Sequence, residues 1–305
     1  MSTVDLSVKL CGVALKNPVI PASGTFGFGR DFSKFYDISR LGAVAAKGIT
    51  PLERIGNPPA RIAETPSGIL NSVGLQNPGI DAFLKDELPW MHAQGATVIC
   101  NISGNTIEEF CSMAEKLNRS DVDFIEVNVS CPNVHAGGKV FGSDPKGVLQ
   151  VTKAVRQCTS KPILIKLSPN VSDIAEMALA VQEGGADAVS LINTLTGMTI
   201  DVNTRRPVLA NKTGGLSGPA VRPVALRMCY QAAQAVTIPV VGMGGIMSGE
   251  DVVMFLLAGC TAVQVGTANL SDPMACLRII EEIEAYMKQK GIVRISDLIG
   301  ALITE

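Results

Sequence analysis

The sequence predicts an α/β protein: a (β/α)8 barrel (TIM barrel) with an N-terminal β-hairpin and inserted loops at the C-terminal face of the barrel. Three observations predict it. Short β-branched runs alternate with longer stretches whose apolar residues fall three and four apart. The runs, such as PILIKL and IPVVGMG, are apolar on both faces. Eight of them fit into 305 residues. Alternation implies parallel pairing with right-handed crossovers, and strands apolar on both faces are those of a parallel sheet covered on both sides. Eight units in a chain of this length suit a closed barrel better than an open sheet. An open doubly wound sheet needs a dinucleotide fingerprint, and Gly242-Met243-Gly244-Gly245 lacks the third glycine at the required spacing.

In chain order, residues 4–15 (VDLSVKLCGVAL) read as a hairpin able to plug the bottom of the barrel. The strands follow at Pro18–Ser23, Ala43–Lys47, Thr97–Asn101, Phe124–Asn128, Ile163–Leu167, Ala188–Ile192, Val240–Gly242 and Ala262–Val265. Helical patterns cover Ile107–Leu117, Pro145–Gln157, Ile174–Glu183, Pro219–Ala235 and Asp272–Gln289. Asp144-Pro145, Gly218-Pro219 and Asp272-Pro273 each place proline where a first helical residue is expected. Residues 50–77 and 193–217 break the repeat. They are long, rich in Gly, Pro, Asn and Thr, and read as loops lining a site at the strand ends. The whole of 1–305 is expected to be one barrel domain.

Composition narrows the function classes. About half the residues are apolar (47%) and 18% are charged, so a large core can form. Twenty-six basic against 28 acidic residues, a net charge of −2, gives no electrostatic case for nucleic acid or an anionic membrane. The N-terminus lacks the charged and apolar regions of a secretory signal, and no apolar run reaches membrane-span length. The expectation is a soluble, cytoplasmic protein. The eight cysteines are scattered with no C-x-x-C pair, which argues against a disulfide framework, a structural zinc or a cluster on this chain. No metal site is expected.

In a barrel the chemistry lies just past the strand ends. Those positions carry Ser23, Lys47-Gly48, Asn101, Asn128, Lys166, Asn193-Thr194, Gly244-Gly245 and Gly266-Thr267. Neutral amides with isolated cations suit a neutral heterocycle bearing anionic appendages. The glycines after the seventh and eighth strands either make tight turns or receive a phosphate on bare N–H groups, and their pairing favours phosphate. Lys166 sits in an apolar strand, where an ammonium is costly unless it meets an anion. It reaches solvent, forms a Schiff base, or stabilises negative charge on a cofactor, and Lys47 has the same options. Cys131, in the polar loop NVSCPNVHAGG, differs from the other cysteines. A partly exposed thiol near cations can act as base or nucleophile. His135, nearby, is given no role.

The motifs NPVIPASGTFG (17–27), AAKGIT (45–50), GNPPARIAETPSGILNSVGLQNPG (56–79), EVNVSCPNV (126–134), IKLSPN (165–170), INTLTGM (192–198), GGLSGPAVRP (214–223), VVGMGGI (240–246) and VQVGTA (263–268) together resemble the dihydroorotate dehydrogenase family over nearly the whole chain. The resemblance implies one FMN per chain and oxidation of dihydroorotate to orotate in de novo pyrimidine biosynthesis. It places Ser23, Lys47, Gly48, Asn101, Asn128, Lys166, Ile192, Gly218, Gly244, Gly245, Gly266 and Thr267 around FMN. It places Lys47, Asn71, Ser72, Val73, Gly74, Leu75, Asn128, Asn193 and Thr194 around the substrate, and Cys131 at the catalytic-base position. The family's membrane-bound quinone-dependent class has serine there. VSCPNVHAGGKVFGSDP and GTANLSDP look like the soluble, NAD-dependent kind rather than the fumarate-using kind, which typically shows CPNVPGKPQ. That kind implies a second subunit carrying FAD and a [2Fe–2S] cluster, and a homodimer core within a heterotetramer. Three other readings are weighed against this: a related pyrimidine-reducing flavoenzyme, a flavin-free aldolase using Lys166, and a non-catalytic barrel that binds a metabolite.

Overall fold

The computed structural model describes residues 4–130 and 141–304. Eight parallel strands form one sheet: β1 (Val19–Pro21), β2 (Val44–Ala45), β3 (Val98–Ile102), β4 (Phe124–Asn128), β5 (Ile163–Lys166), β6 (Ala188–Leu191), β7 (Val240–Met243) and β8 (Ala262–Val265). Each pairs with the next from β2 to β8, and β8 pairs with β1. Where the ladder ends, the Gly42 N–H donates to the Val19 carbonyl at 3.0 Å. A Cβ at Gly42 would lie 2.1 Å from the Asn17 carbonyl oxygen, so only glycine fits this seam. The predicted (β/α)8 barrel is the observed one.

Helices lie between the strands, and their starts are set by side chains that accept orphan N–H groups. Thr106 caps Ile107–Asn118, Asp144 caps Pro145–Cys158 with Pro145 in the first turn, and Asp173 caps Ile174–Glu183. Two boundaries differ from expectation. Pro219 opens a 3-10 turn, Pro219–Val221, before the helix Arg222–Ala235. The last long helix, Ala275–Lys290, starts two residues after Pro273, because the Asp272 carboxylate accepts from Met274 N and folds that stretch as a turn. Helical residues Ile80–Ala93 and the helix Gly249–Leu257 were not anticipated. The second carries a capping box between Ser248 and Asp251, a legible signal in SGED.

The hairpin Val8–Leu10 and Val13–Leu15 forms as expected, with Val8 opposite Leu15. It turns Leu10 and Leu15 into the core, and the Cys11 thiol donates to the carbonyl of Asp187, the residue before β6. That contact puts the hairpin at the N-terminal end of the strands.

The two long insertions have structure of their own. Ile62–Thr65 and Gly68–Asn71 pair with each other, Gly68–Asn71 pairs with Thr213–Ser217, and Thr213–Ser217 pairs with Leu195–Met198. The result is a four-stranded antiparallel sheet built from both insertions. Glycines at 214 and 215 are needed where it closes, since a Cβ at Gly215 would lie 1.9 Å from Thr194 Oγ1. Among the described residues no helix is long and apolar enough to cross a membrane.

Candidate functional site

Strand alternation decides which side chains enter the barrel. Ala45 lies opposite Ile99, Asn101 opposite Glu126, Asn128 opposite Lys166, Lys166 opposite Ser190, and Met243 opposite Gln264. These inward positions form the upper interior, with Asn101 (1% exposed), Asn128 (8%) and Lys166 (6%) buried there. Burial of Lys166 excludes the reading in which it reaches solvent. Lys47 is partly buried, and its ammonium is held below the ordinary 10.5, first by burial and then by the neighbouring charge of Lys166. Among the described residues no carboxylate forms an ion pair with either lysine. Two positive charges in one barrel, neither held in an ion pair among the described residues, suit an electron-rich or anionic ligand.

At one corner of the rim the glycine clusters converge. The carbonyl oxygen of Gly218 lies 2.8 Å from where a Cβ of Gly245 would sit, and a Cβ of Gly218 would lie 3.5 Å from Thr267 Cγ2. A Cβ on Gly244 would fall 3.3 Å from Ile192 Cγ1, so Ile192 belongs to the same corner. Thr267 Oγ1 donates to Ser217 Oγ at 2.9 Å, tying the rim sheet to the end of β8. The backbone N–H groups of Gly244, Gly245, Gly266 and Thr267 find no acceptor among the described residues. All four residues are half-buried at the mouth of the barrel, so these N–H groups are open to a ligand, and four of them gathered in one corner form a cradle suited to an anion. The glycines there divide. Gly244 and Gly245 have φ of +128° and +74° and lie against Ala225 and Arg222, so the fold itself requires them. Gly266 does not: a Cβ there would meet only Ala22 Cβ, at 3.8 Å.

The opposite side of the rim gathers Gly48, Asn101 and Leu75. A Cβ of Gly48 would lie 3.0 Å from Asn101 Oδ1 and 3.4 Å from Leu75 Cδ2. The segment 71–75 is held by Asn57, whose Nδ2 donates to the Ser72 carbonyl, and by Asn77, whose Nδ2 donates to the Leu75 carbonyl. Gly74 and Leu75 both have positive φ, +79° and +55°, and neither N–H meets an acceptor among the described residues. The hydroxyl of Ser72 is likewise buried without a partner. Between these corners Asn128 Oδ1 accepts from Asn193 Nδ2 and from Ser130 N, both at 3.2 Å, while Thr194 N donates to Asn193 Oδ1 at 2.8 Å. Among the described residues the Asn128 amide N–H group meets no acceptor. Asn71 Nδ2 donates to the Gly215 carbonyl at 3.2 Å, so Asn71 also anchors the rim sheet. Ser23 is buried just past β1.

Cys131 and His135 lie outside the described residues. Burial raises the thiols of Cys11 and Cys276 to about 12 and raises that of Cys100, so these are unsuited to act as thiolates near neutral pH.

Two residues of the interior were missed. Glu126, on β4, accepts from Asn101 Nδ2 through Oε2 and from Gln264 Nε2 through Oε1, each at 2.6 Å. The signal was an acid in FIEVN and an amide in AVQV, polar residues inside apolar strands, which is the reasoning that singled out Lys166.

The profile of the family described as dihydroorotate dehydrogenase matches residues 5–287. The chain belongs to the dihydroorotate dehydrogenase family. It is 54% identical, over the full length of both chains, to a protein of Geotalea uraniireducens named "Dihydroorotate dehydrogenase B (NAD(+)), catalytic subunit". A protein of the same name from Alkaliphilus oremlandii is 53% identical over 99% of this chain and 100% of its own. One from Geobacillus kaustophilus is 52% identical over 97% of this chain and 95% of its own. Within this dihydroorotate dehydrogenase family member, the two lysines, the free N–H corner and the 71–75 segment share a single rim.

Proposed function

We propose that this chain is the FMN-carrying catalytic subunit of an NAD-dependent dihydroorotate dehydrogenase, oxidising dihydroorotate to orotate in pyrimidine biosynthesis. The observation that carries the reading is the corner of four N–H groups that meet no acceptor among the described residues, on the same rim as two lysines that form no ion pair there. A ligand with a phosphate at one end and an electron-rich ring at the other satisfies both. FMN fits this donor set. Gly244, Gly245, Gly266 and Thr267 would hold its phosphate, with Gly218 and Ile192 beside them. Ser23, Lys47, Gly48, Asn101, Asn128 and Lys166 would hold the ring. When bound, FMN supplies the two-electron acceptor for the substrate's C6 hydride.

The remaining chemistry belongs to the chain. The free N–H groups of Gly74 and Leu75, with Asn71, Ser72 and Val73 around them, are suited to a carboxylate. Asn128 and Asn193, joined at 3.2 Å, offer both donor and acceptor to the ring amides, with Thr194 alongside. Lys47 faces both ligands. Cys131 as thiolate takes the C5 proton, an assignment that rests on its place in the sequence. Lys166 supplies a fixed positive charge that needs no solvent reorganisation. The chain is read as cytoplasmic. Its electrons leave to NAD through a second subunit bearing FAD and a [2Fe–2S] cluster, docked on a homodimer core. Exposed Leu52, Ile55, Ile200 and Val202 on the rim insertions support such assembly.

Anaerobic titration of the purified protein is the test. A yellow chain whose flavin is bleached by dihydroorotate and not by dihydrouracil is expected, with NAD reduction only after the second subunit is added. A colourless chain that never takes up FMN, or one reducing NAD efficiently with no second polypeptide, refutes the corresponding part.

A further inference from the structure

Glu126 lies two residues before Asn128 on β4, on the same inward face and one pleat repeat deeper, and it is fully buried. Among the described residues no Lys, Arg or His forms an ion pair with it. Instead each oxygen takes one amide N–H, from Asn101 and from Gln264, both at 2.6 Å. An ionised carboxylate only accepts, whereas an amide has one donating and one accepting end. The acid therefore dictates how both amides face: each must turn its NH2 group toward Glu126 and its oxygen away. For Asn101 the oxygen then faces the rim, 3.0 Å from where a Cβ of Gly48 would sit. For Gln264 the oxygen is buried with no partner. Two oriented acceptors are thus left above a buried negative charge, in the same interior that holds Lys47 and Lys166.

We propose that Glu126 is a positioning residue of the flavin site: it locks the Asn101 and Gln264 amides with their oxygens turned toward the ligand, and its charge offsets that of the two lysines. The inference rests on the FMN reading above and goes beyond it. A flavin ring carries an imide N–H that needs an acceptor, and Asn101 Oδ1 is the acceptor held ready at the rim. The negative charge of Glu126 opposes the accumulation of negative charge on the ring, so Glu126 and Lys166 set the reduction potential with opposite signs.

The experiment uses Glu126→Gln in the full chain loaded with FMN. The substituted side chain has a single oxygen and can accept from only one neighbouring amide at that end, so either Asn101 or Gln264 must flip and present NH2 where the oxygen stood. FMN is expected to dissociate at least about 5-fold more readily. A unit charge acting over about 10 Å through an effective dielectric of about 20 is worth roughly a tenfold change in the equilibrium between oxidised and reduced flavin, and Glu126→Gln removes it. This moves the two-electron potential up by about 30 mV. Glu126→Asp keeps the charge and should return the potential to the wild-type value, which a merely structural role does not predict. Unchanged FMN affinity and potential in Glu126→Gln, or a downward shift, overturns the inference. If that variant does not fold, Glu126→Asp is read alone: the charge stays while the shorter side chain loosens its hold on the two amides, so FMN should dissociate at least about 5-fold more readily at an unchanged potential, and unchanged affinity or a shifted potential overturns the inference. A wild-type chain that binds no FMN overturns the flavin reading itself, and this inference with it.

Discussion

Gly266 and Gly245 stand in the same corner, yet the structure gives them opposite reasons for being glycine, and alanine substitutions separate the two. At Gly245 a Cβ would lie 2.6 Å from Arg222 Cβ and 2.8 Å from both Arg222 N and the Gly218 carbonyl oxygen, at a φ of +74°. A left-handed backbone costs an L-residue about 1 kcal/mol, and forcing a methyl against backbone atoms costs about 1–3 kcal/mol more. Gly245→Ala should therefore lose about 2–4 kcal/mol of stability, a fall in Tm of roughly 3–6 °C for a chain of this length. At Gly266 the methyl meets only Ala22 Cβ, at 3.8 Å, and the backbone is in a region that alanine adopts. The flavin-free protein should keep its stability to within about 0.5 kcal/mol. If a phosphate lies against this residue, the methyl intrudes on the ligand instead. A penalty of about 1–3 kcal/mol then weakens FMN binding roughly 5- to 150-fold. Thermal unfolding of the flavin-free variants, with fluorescence titration of FMN, reads both quantities. Gly266→Ala with wild-type affinity would show that the free N–H corner is not the phosphate site. Gly245→Ala with an unchanged Tm would show that the packing around Arg222 is wrong.

Cys131→Ala should keep FMN but lose about 10²–10⁴ in the rate of flavin reduction by dihydroorotate in stopped flow, and Cys131→Ser should be slow with its optimum moved to higher pH; full activity in the alanine variant removes the assignment. Lys166→Met should slow flavin reduction by dihydroorotate by up to about 10²-fold, because the fixed positive charge is lost; normal reduction in stopped flow contradicts the role. Lys47 titrates below 10.5 in the folded chain, so between its depressed value and 10.5 the unfolded chain holds more protons and stability rises with pH through that window. Melting curves of flavin-free wild type and Lys47→Met across it should show the rise in the first and its loss in the second.

The barrel was legible because its strands are apolar on both faces and helical patterns separate them; of the three proline-marked helix starts, Asp144-Pro145 is used as read, while Pro219 opens a 3-10 turn and Ala275–Lys290 begins beyond Pro273. The rim lysines and asparagines were legible because polar residues at strand ends stand out against such strands. Glu126 and Gln264 lie one layer beneath the strand ends, enclosed in the apolar strands FIEVN and AVQV, where a polar residue does not by itself show whether it faces the barrel interior. The insertions were harder. Gly68–Asn71 and Thr213–Ser217 alternate weakly and contain glycine, and each becomes a strand only because the other, far along the chain, lies beside it. The helix within Ile80–Ala93 carries Pro89 and an irregular turn at Phe83–Glu87, which blurs its period.

That rim sheet has a consequence for how the molecule is born. Its central pairing joins Ile69 to Ser217 and Asn71 to Gly215, positions separated by four of the eight barrel strands. Contacts so distant in sequence form only after the chain between them has been ordered, because closing a loop of that size earlier costs entropy with nothing yet gained. The mouth of the barrel is therefore expected to consolidate late in folding, after the strands that carry the lysines, so that for an interval the nascent chain holds an open cup where the finished rim will stand.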